Sequence, residues 1–498
     1  MRAWISPGRI TGPVRPPHRN RAWRASSREA RHERLTVGHA PGGSQHGAPS
    51  RQQWRVVSAL LPHRPAAAWA AWLAAARAEA SVGLAGLQHT GVMCATLAFP
   101  IVVSRQAGLT GEALAAFVGT ALLVLAAANL LQALRPPLGS GYLTPTSFTA
   151  TYLGPSMLAA DMGRLPLVFG MTFLAGIAEA TMSRFMDRLR TAIPVEFVGL
   201  IIFLVGLTNG VAGFRQMFGT DAVNPNGGQI AVGALTLGVM IALQCLRSVA
   251  ARLYAAAIGM VLGYACAYAA GLVTAADLAA ERQVPWFAIP SFALPQMSFD
   301  VTLVLPFTVV AFAAAMKQMG FVYHAQRLTD GANGELDHAA ARRSVLADGA
   351  GSATAGLLGG IGVNASASSA GLVAASGMTD RRVVAYVAGV FAVLALMPGA
   401  AFLLATVPPG VVGAALIFTG AFVVTGGVKM MAERGLSQDM ALMLGFSILA
   451  SFAVDLCPAI RASAPAALSP LLSSPIVVGT ITAAALLLVQ RLGALGRA

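Results

Sequence analysis

The stretch GGIGVNASASSAGLVAASG, Gly359–Gly377, lies between apolar runs and contains five Gly, four Ser, one Asn and no charge. Irregular backbone at membrane depth is tolerated only inside protein or beside a water-filled cavity. Gly permits unusual dihedral angles, and Ser and Asn offer hydrogen bonds without a permanent charge. The stretch therefore indicates either a mid-membrane site for a polar, planar, mostly neutral solute or close helix packing by small residues.

A second stretch of the same kind, SGYLTPTSFTATYLGPS, covers Ser140–Ser156 and is interrupted by Pro. Counted by apolar spans, the two stretches are the third and the tenth. Paired unusual segments at corresponding positions of two halves indicate internal repeats and a binding site near the bilayer midplane. Because seven is odd, the second repeat is expected to be inverted, and the pairing favours the binding site over the packing alternative.

The composition indicates an all-α polytopic membrane protein. The chain has 498 residues, of which 56% are hydrophobic and 11% charged, whereas soluble domains carry about 25% charged residues. Runs close to the length of a membrane span recur along it. The predicted spans are 81–103, 112–134, 145–162, 166–185, 193–214, 229–248, 254–274, 301–323, 343–360, 362–378, 382–405, 410–430, 437–455 and 474–490.

Basic residues in the loops predict the orientation. With a cytoplasmic N-terminus, the inside loops hold thirteen Arg or Lys residues and the outside loops five. This asymmetry is the one that the positive-inside rule describes. It supports an even number of spans, with both termini in the cytoplasm.

Residues 1–65 form a basic segment with twelve Arg against two Glu and five of the eight His. Its Pro, Gly and Ser content predicts a disordered tail. The tail is either a solvated extension, native or from a misassigned start codon, or a contact to anionic lipid headgroups. A nucleic-acid partner is not expected for a tail on such a body.

The four cysteines show no metal-ligand spacing and no partnered His. Cys94, Cys245, Cys266 and Cys457 all lie in or beside apolar runs. They are predicted to be small core residues, with no metal site and no disulfide framework.

Lys317 lies inside the apolar eighth span. A charge within the membrane is costly and functional by default. The alternative is that its side chain reaches the cytoplasmic interface, but Arg327 lies ten residues, or about 15 Å of helix, further on. A buried ammonium favours a substrate with anionic character, or replaces a bound sodium ion as a fixed positive charge.

Three motifs together resemble one transporter family. They are GLQHTGVMCATLAFPIVV at Gly86–Val103, ADGAGSATAGLLGGIGVNASASSAGLVAASG at Ala347–Gly377, and VPPGVVGAALIFTG at Val407–Gly420. The chain resembles the nucleobase:cation symporter-2 family, also called nucleobase-ascorbate transporters or xanthine/uracil permeases, over about residues 80–490.

The resemblance implies fourteen transmembrane segments in two inverted seven-segment repeats, with short strands in segments 3 and 10. It implies a core domain from residues 80–190 and 300–405 and a gate domain from residues 191–275 and 408–490. Movement of the core against the gate would give alternating access, often in a homodimer.

The sequence departs from the family pattern at the site. Lys317 stands where the family usually has Glu, which looks like a branch of the family with Lys, and proton coupling through a Glu at this place is thereby excluded. Ser368 and Ser369 replace the acid or Gln and the Asn of the tenth-segment signature, although Asn364 lies one turn earlier.

The candidate site residues carry alternative interpretations. Phe148 and His89 are equally compatible with the core, Glu179 with a salt bridge to Arg184 or another core cation, and Asp348 with an N-terminal helix cap. His324 is predicted to be solvated near the cytoplasmic edge. The predicted substrate-binding residues are Lys317, Gln318, Phe148, Ser366, Ser368, Ser369, Gln88 and His89, and the coupling candidates are Glu179 and Asp348.

We therefore expect an inner-membrane permease of symporter type that moves a nucleobase-like heterocycle of the xanthine, urate or uracil class. An anion carrier of the same fold is the alternative. No nucleophile with a nearby base and no clustered His or acid motif is found, so an enzyme is not expected. No cofactor or metal is predicted, the partners are the small-molecule substrate and the bilayer, and the coupling ion, H⁺ or Na⁺, is open.

Overall fold

The structure is a computed structural model that describes residues 65–134, 137–188, 193–219, 226–248, 251–252, 254–274, 286–288, 294–331, 337–433, 435–465 and 468–495. The basic tail and four of the Arg residues counted for the orientation, Arg135, Arg190, Arg282 and Arg434, lie outside the described residues. Two compact units are distinguished, 1–71 and 72–498. The described residues of the first belong to the first helix, and the second holds every feature discussed below.

The described chain is mostly helical, with two short strands. The elements in chain order are α1 Pro65–Cys94, α2 Ala98–Gln106, α3 Gly111–Ala133, β1 Thr146–Phe148, α4 Leu153–Met182, α5 Val195–Phe218, α6 Gly227–Cys245, α7 Ala255–Ala269, α8 Val301–Asp330, α9 His338–Leu358, β2 Val363–Ala365, α10 Ala367–Ser376, α11 Arg382–Ala395, α12 Pro398–Ala405, α13 Pro409–Ala432, α14 Gln438–Leu456, α15 Pro458–Ala462 and α16 Pro475–Leu495.

Each of the fourteen predicted segments corresponds to one or two of these elements. By length and composition, nine helices of the described chain can cross a membrane, or ten if one bent pair counts as a span. Among the shorter or more polar segments are the two strand-containing ones and α9. Helix α9 does not need an apolar exterior because its small residues pack against α4 and α3 inside the protein.

The two strands confirm the prediction for segments 3 and 10. They pair antiparallel, with Thr146 opposite Ala365 and Phe148 opposite Val363. Gly359 ends α9 in the left-handed conformation, with φ of 86°. A Cβ on Gly362 would lie 2.4 Å from the Tyr152 ring, so only Gly allows the chain to pass at this point.

One polar side chain from a neighbouring helix secures each strand. Asn129 of α3 donates to the Thr146 carbonyl (2.8 Å) and accepts from the Thr146 amide (3.0 Å). Ser352 of α9 donates to the Val363 carbonyl (3.0 Å) and accepts from its amide (3.2 Å). Helices α3 and α9 are segments 2 and 9, which are seven segments apart. Equivalent helices of the two halves therefore supply the side chain that hydrogen-bonds the backbone of each strand.

Helices α5 and α13 pack backbone to backbone through glycines spaced seven residues apart. Gly199, Gly206 and Gly213 face Gly427, Gly420 and Gly413 in antiparallel order. A Cβ on Gly206 would lie 2.5 Å from the Val424 amide nitrogen and 2.9 Å from the Gly420 carbonyl oxygen. Small residues allow this approach, and dispersion contacts then stabilise the pair in a lipid environment.

Two breaks interrupt the helices. Non-helical backbone at Gly163 and Arg164 divides α4 into two helices, and this break falls between the predicted spans 145–162 and 166–185. The predicted single span 382–405 is instead two helices, α11 and α12, bent by 91°. Pro398 starts α12, and its ring cannot continue the preceding helix.

The prediction that all four cysteines are small core residues is wrong for two of them. Cys245 and Cys457 are exposed, and Cys94 and Cys266 are half-buried. Both exposed cysteines lie at helix ends, where an apolar run in the sequence does not imply burial. All four are free thiols.

We expect Gly206→Ala to destabilise the protein by about 1–3 kcal/mol, because the new methyl group overlaps the α13 backbone. Gly210→Ala is the matched control on the same helix, since a Cβ there meets nothing within 4 Å. The control should be neutral or slightly stabilising, because Ala is a better helix former than Gly. Thermal unfolding of the detergent-purified proteins measures the difference, and equal melting temperatures would disprove the close packing.

Candidate functional site

Lys317 lies in the interior of α8 and is only 2% exposed. Its ammonium donates to Thr149 Oγ1 at 3.1 Å and lies 5.7 Å from the centre of the Phe321 ring. Thr149 follows directly after β1, so the ammonium is held at the end of the first strand. The alternative that the Lys317 side chain extends to the cytoplasmic membrane interface is therefore wrong, because the side chain points into the protein.

Two buried carboxylates lie near Lys317. Glu179 of α4 accepts from the Tyr152 hydroxyl at 3.0 Å, and Asp348 of α9 accepts from the Asn364 amide at 2.5 Å. Both are fully buried and interact electrostatically with each other and with the ammonium. No ion pair joins Lys317 directly to either carboxylate among the described residues.

Close packing of α4 and α9 brings the two carboxylates together. A Cβ on Gly176 would lie 2.2 Å from the Ala353 amide nitrogen, and a Cβ on Gly349 would lie 2.4 Å from the Ala180 amide nitrogen. Glu179 and Asp348 are the sequence neighbours of these contact points. The two carboxylates therefore lie close together because α4 and α9 pack backbone to backbone at these two glycines.

The N-cap alternative is wrong for Asp348, whereas a core cation, Lys317, does act electrostatically on Glu179. Asp348 is the eleventh residue of α9 and cannot cap it. Asp337 caps the helix instead, and its side chain accepts from the Ala340 amide at 2.8 Å. In the described part of the chain Glu179 forms no ion pair with Arg184; it accepts a hydrogen bond from Tyr152, and Lys317 is the core cation that acts on it.

The serines of segment 10 fall on different faces. Ser366 is the N-cap of α10 and accepts from the Ser369 amide at 3.3 Å, and its hydroxyl lies 3.2 Å from that of Ser368. Ser369 is buried, and its hydroxyl has no hydrogen-bond partner among the described residues. Ser366 shares a narrow crevice with Phe321 and Pro145.

The other predicted site residues are spread over different contacts. Phe148 is buried in β1. Gln318 donates to Ser344 Oγ at 2.7 Å, and thus faces α9. Gln88 donates to the Tyr254 hydroxyl at 2.8 Å, just before α7, while the neighbouring His89 is buried with neither ring nitrogen hydrogen-bonded in the described chain. A shared substrate site for all of them stays a prediction.

A cavity of about 750 Å³ lies between α8 and α10 on one side and α5 and α13 on the other. Helix α10 contributes Ala367, Ala370 and Gly371 to its wall, whereas Ser368 and Ser369 are absent from the lining. Lys317 is also absent from the lining. Phe321, one turn further along α8, lines the cavity, and its ring is the one that lies 5.7 Å from the ammonium.

Charged and polar groups surround one end of this cavity. Arg327 of α8 forms an ion pair with Glu433, which follows α13, and Lys429 and Arg491 also line the space. His324 is exposed and lines the cavity, in agreement with its predicted solvation. The cavity therefore has a charged end, here called its mouth, and an apolar part lined by Phe321 and Ala367, here called its floor.

The xanthine/uracil permease model, described as a permease family, matches residues 80–459. This range includes both strand-containing segments, the buried lysine and most of the cavity. The chain belongs to this permease family. The permease is accordingly a multi-pass membrane transporter and not an enzyme.

Two bacterial relatives align with the permease over most of its length. It is 26% identical to the uric acid permease PucK of Bacillus subtilis (strain 168) over 407 residues, which are 80% of the permease and 93% of PucK. It is 24% identical to the xanthine permease XanQ of Escherichia coli (strain K12) over 399 residues, or 77% and 85% of the two chains.

Solved structures confirm the fold of the permease. The transmembrane domain of the cyanobacterial bicarbonate transporter BicA aligns with a TM-score of 0.51 and 16% identity, covering 81% of the permease and 97% of that chain. SLC26A9 aligns with a TM-score of 0.54 and 12% identity, covering 91% and 73%. At this identity the likeness concerns the fold alone.

Sequence reasoning missed two neighbours of the ammonium. Phe321 could have been found, since it follows Lys317 by four residues and therefore lies on the same helix face. Thr149 gave no such signal, because 168 residues separate it from Lys317. Only the crossing of the two broken segments beside α8 brings it into contact.

Removing the hydroxyl of Ser352 should destabilise the strand crossing. Ser352→Ala leaves the amide and the carbonyl of Val363 without their side-chain partner, at a cost of about 1–3 kcal/mol for each buried group left unpaired. Ser447→Ala is the matched control, since that buried hydroxyl bonds only a carbonyl of its own helix. Denaturation of both purified variants measures the effect, and equal stability would contradict the assigned role of Ser352.

Proposed function

We propose that the permease moves a purine-type base across the plasma membrane by alternating access. The observation that carries this proposal is the family match, which runs through both broken segments and the buried Lys317 between them. The curated relatives, named as uric acid and xanthine permeases, support a nucleobase substrate. The anion carriers among the solved structures share the fold, and their low identity gives no support to the alternative of an inorganic anion.

The substrate reaches its site through the cavity of about 750 Å³, a size typical of small-molecule sites. The floor of the cavity is formed by Phe321 and by Ala367 at the start of α10. A planar base stacks on the Phe321 ring, and displacement of that ring exposes the base to Lys317. Hydroxyls and backbone groups of segments 3 and 10 then pair with its polar edges.

The charge of Lys317 favours a base that carries negative charge. An ammonium in a site with little water attracts an anion more strongly than it would in water, because the effective dielectric constant is lower. Urate and the xanthine anion combine a planar ring with such a charge. Neutral uracil should bind more weakly than either purine.

The packing of the helices supports two moving bodies. Helix α9 packs on α3 and α4, and α11 packs on α3, whereas α5 packs on α13, with α6 and α7 beside α13. This grouping supports a core domain of residues 80–190 and 300–405 and a gate domain of residues 191–275 and 408–490. The cavity lies between the two groups, where their relative movement would open and close it.

The charged mouth of the cavity supports a cytoplasmic location for this end of the protein, in agreement with the positive-inside rule. Both termini are then cytoplasmic, and the cavity belongs to an inward-facing state. The homodimer implied by the family resemblance stays a prediction, which the mass of the detergent-purified particle tests.

Uptake of labelled urate into proteoliposomes in sodium-free buffer tests the function. We expect saturable uptake of urate and xanthine, and Lys317→Gln should weaken it roughly ten- to hundredfold, the value of one hydrogen bond or contact to a charged group. Lys429→Gln, at the cavity mouth, removes the same charge and should have a much smaller effect. Preferential transport of sulfate or dicarboxylates, or full activity of the Lys317 variant, would contradict the proposal.

Single cysteines at the two ends of α8 test the orientation. In a chain whose four native cysteines are replaced by Ser, we expect Ser298→Cys to react in intact cells with a membrane-impermeant maleimide. Thr329→Cys should react only after the cells are opened, because both positions are exposed but on opposite sides of the membrane. The reverse labelling pattern would invert the topology.

A further inference from the structure

Lys317, Glu179 and Asp348 form a charge cluster contributed by three helices, α8, α4 and α9. All three side chains are at most 2% exposed. Both carboxylates act electrostatically on the ammonium. One ammonium therefore faces two acids in a place where unpaired charge is costly.

The surroundings of the ammonium are rich in oxygen atoms. Thr149 Oγ1 accepts from Lys317, and Thr146 Oγ1 lies 3.5 Å from Asp348 Oδ1. Asn364 Oδ1 is buried and has no hydrogen-bond partner among the described residues, whereas Glu179 and Asp348 lie within side-chain hydrogen-bond reach of each other. Carboxylate, hydroxyl and amide oxygens are the ligands that hard cations prefer.

Within the described residues, no group of three or more His, Cys, Asp or Glu side chains could hold a metal ion. The positive charge at this place is instead supplied by a side chain. The Lys317 ammonium donates to Thr149, directly after the first strand, and Thr146 of that strand donates to Asp348.

We propose that Lys317 is a tethered counter-ion that takes the place of a bound sodium ion, so that the permease folds and binds its substrate without Na⁺. Because the ammonium is covalently attached, it cannot be released with the substrate. A sodium ion is then not carried through this site in any transport cycle. The proposal deepens the proposed function, but its first test does not depend on the substrate.

The test is the thermal stability of the substrate-free, detergent-purified protein in NaCl and in choline chloride at equal ionic strength. The native protein should melt at the same temperature in both salts. Lys317→Ala removes the ammonium and leaves the acids and oxygens, so Na⁺ should raise its melting temperature in a saturable way, because an ion that binds only the folded state stabilises it. Lys317→Arg keeps the charge and should remain indifferent to Na⁺.

Lys429→Ala is the matched control. Lys429 is the only other lysine of the chain, and it is exposed at the cavity mouth. The control loses the same charge and should respond to Na⁺ as the native protein does. A sodium-specific shift in the native protein, or an alanine variant at 317 that does not distinguish the two salts, would overturn the proposal.

Urate binding gives a second readout. Na⁺ should leave the affinity of the native protein unchanged and raise that of Lys317→Ala roughly five- to hundredfold, the usual range for coupled sites. If the alanine variant folds in neither salt, the double variant Lys317→Ala/Asp348→Asn tests the counter-ion role. It removes one positive and one negative charge and so keeps the net charge of the cluster. Folding of the double variant supports the counter-ion role, and its failure overturns it.

The two proposals fail in different ways. If no base binds while the sodium pattern of the melting temperatures holds, the proposed substrate is wrong and the counter-ion role stands. If urate binds to the native protein only in the presence of Na⁺, the nucleobase function stands and the counter-ion role is wrong.

Discussion

The structure depends on satisfying the backbone of two chain segments that are not helical at membrane depth. Lipid offers no hydrogen-bond partner, so each amide and carbonyl of these segments must find one in the protein. The strands β1 and β2 pair with each other, and Asn129 and Ser352 complete the bonding from α3 and α9. Each strand is thus hydrogen-bonded by a side chain from its own half of the chain, and the pairing of the strands joins the two halves.

The same crossing holds the charge cluster in place. Asn364 of β2 donates both to Asp348 and to the Ala314 carbonyl of α8. Thr149, next to β1, receives the Lys317 ammonium. The strands thus position the charged groups, and the charged groups link the strands to α8 and α9.

Local signals in the sequence were sufficient to predict the order of the segments, the two broken segments and the burial of Lys317. Clusters of Gly, Ser and Pro mark a broken segment, and a charge inside an apolar run is conspicuous wherever it lies. The role of Asp348 was not accessible in this way, because the start of α9 is decided by the Asp337 cap eleven residues earlier. The partners of the ammonium come from α4, α9 and the end of β1, a grouping that only the tertiary fold creates.

The glycine contact between α5 and α13 limits how either helix can vary. Each of its three levels pairs a glycine of the first half of the chain with a glycine of the second. A side chain at Gly206 or Gly420 would overlap backbone atoms of the opposite helix. No compensating side-chain change on that helix could therefore accommodate it, and only a wider separation of the two helices would.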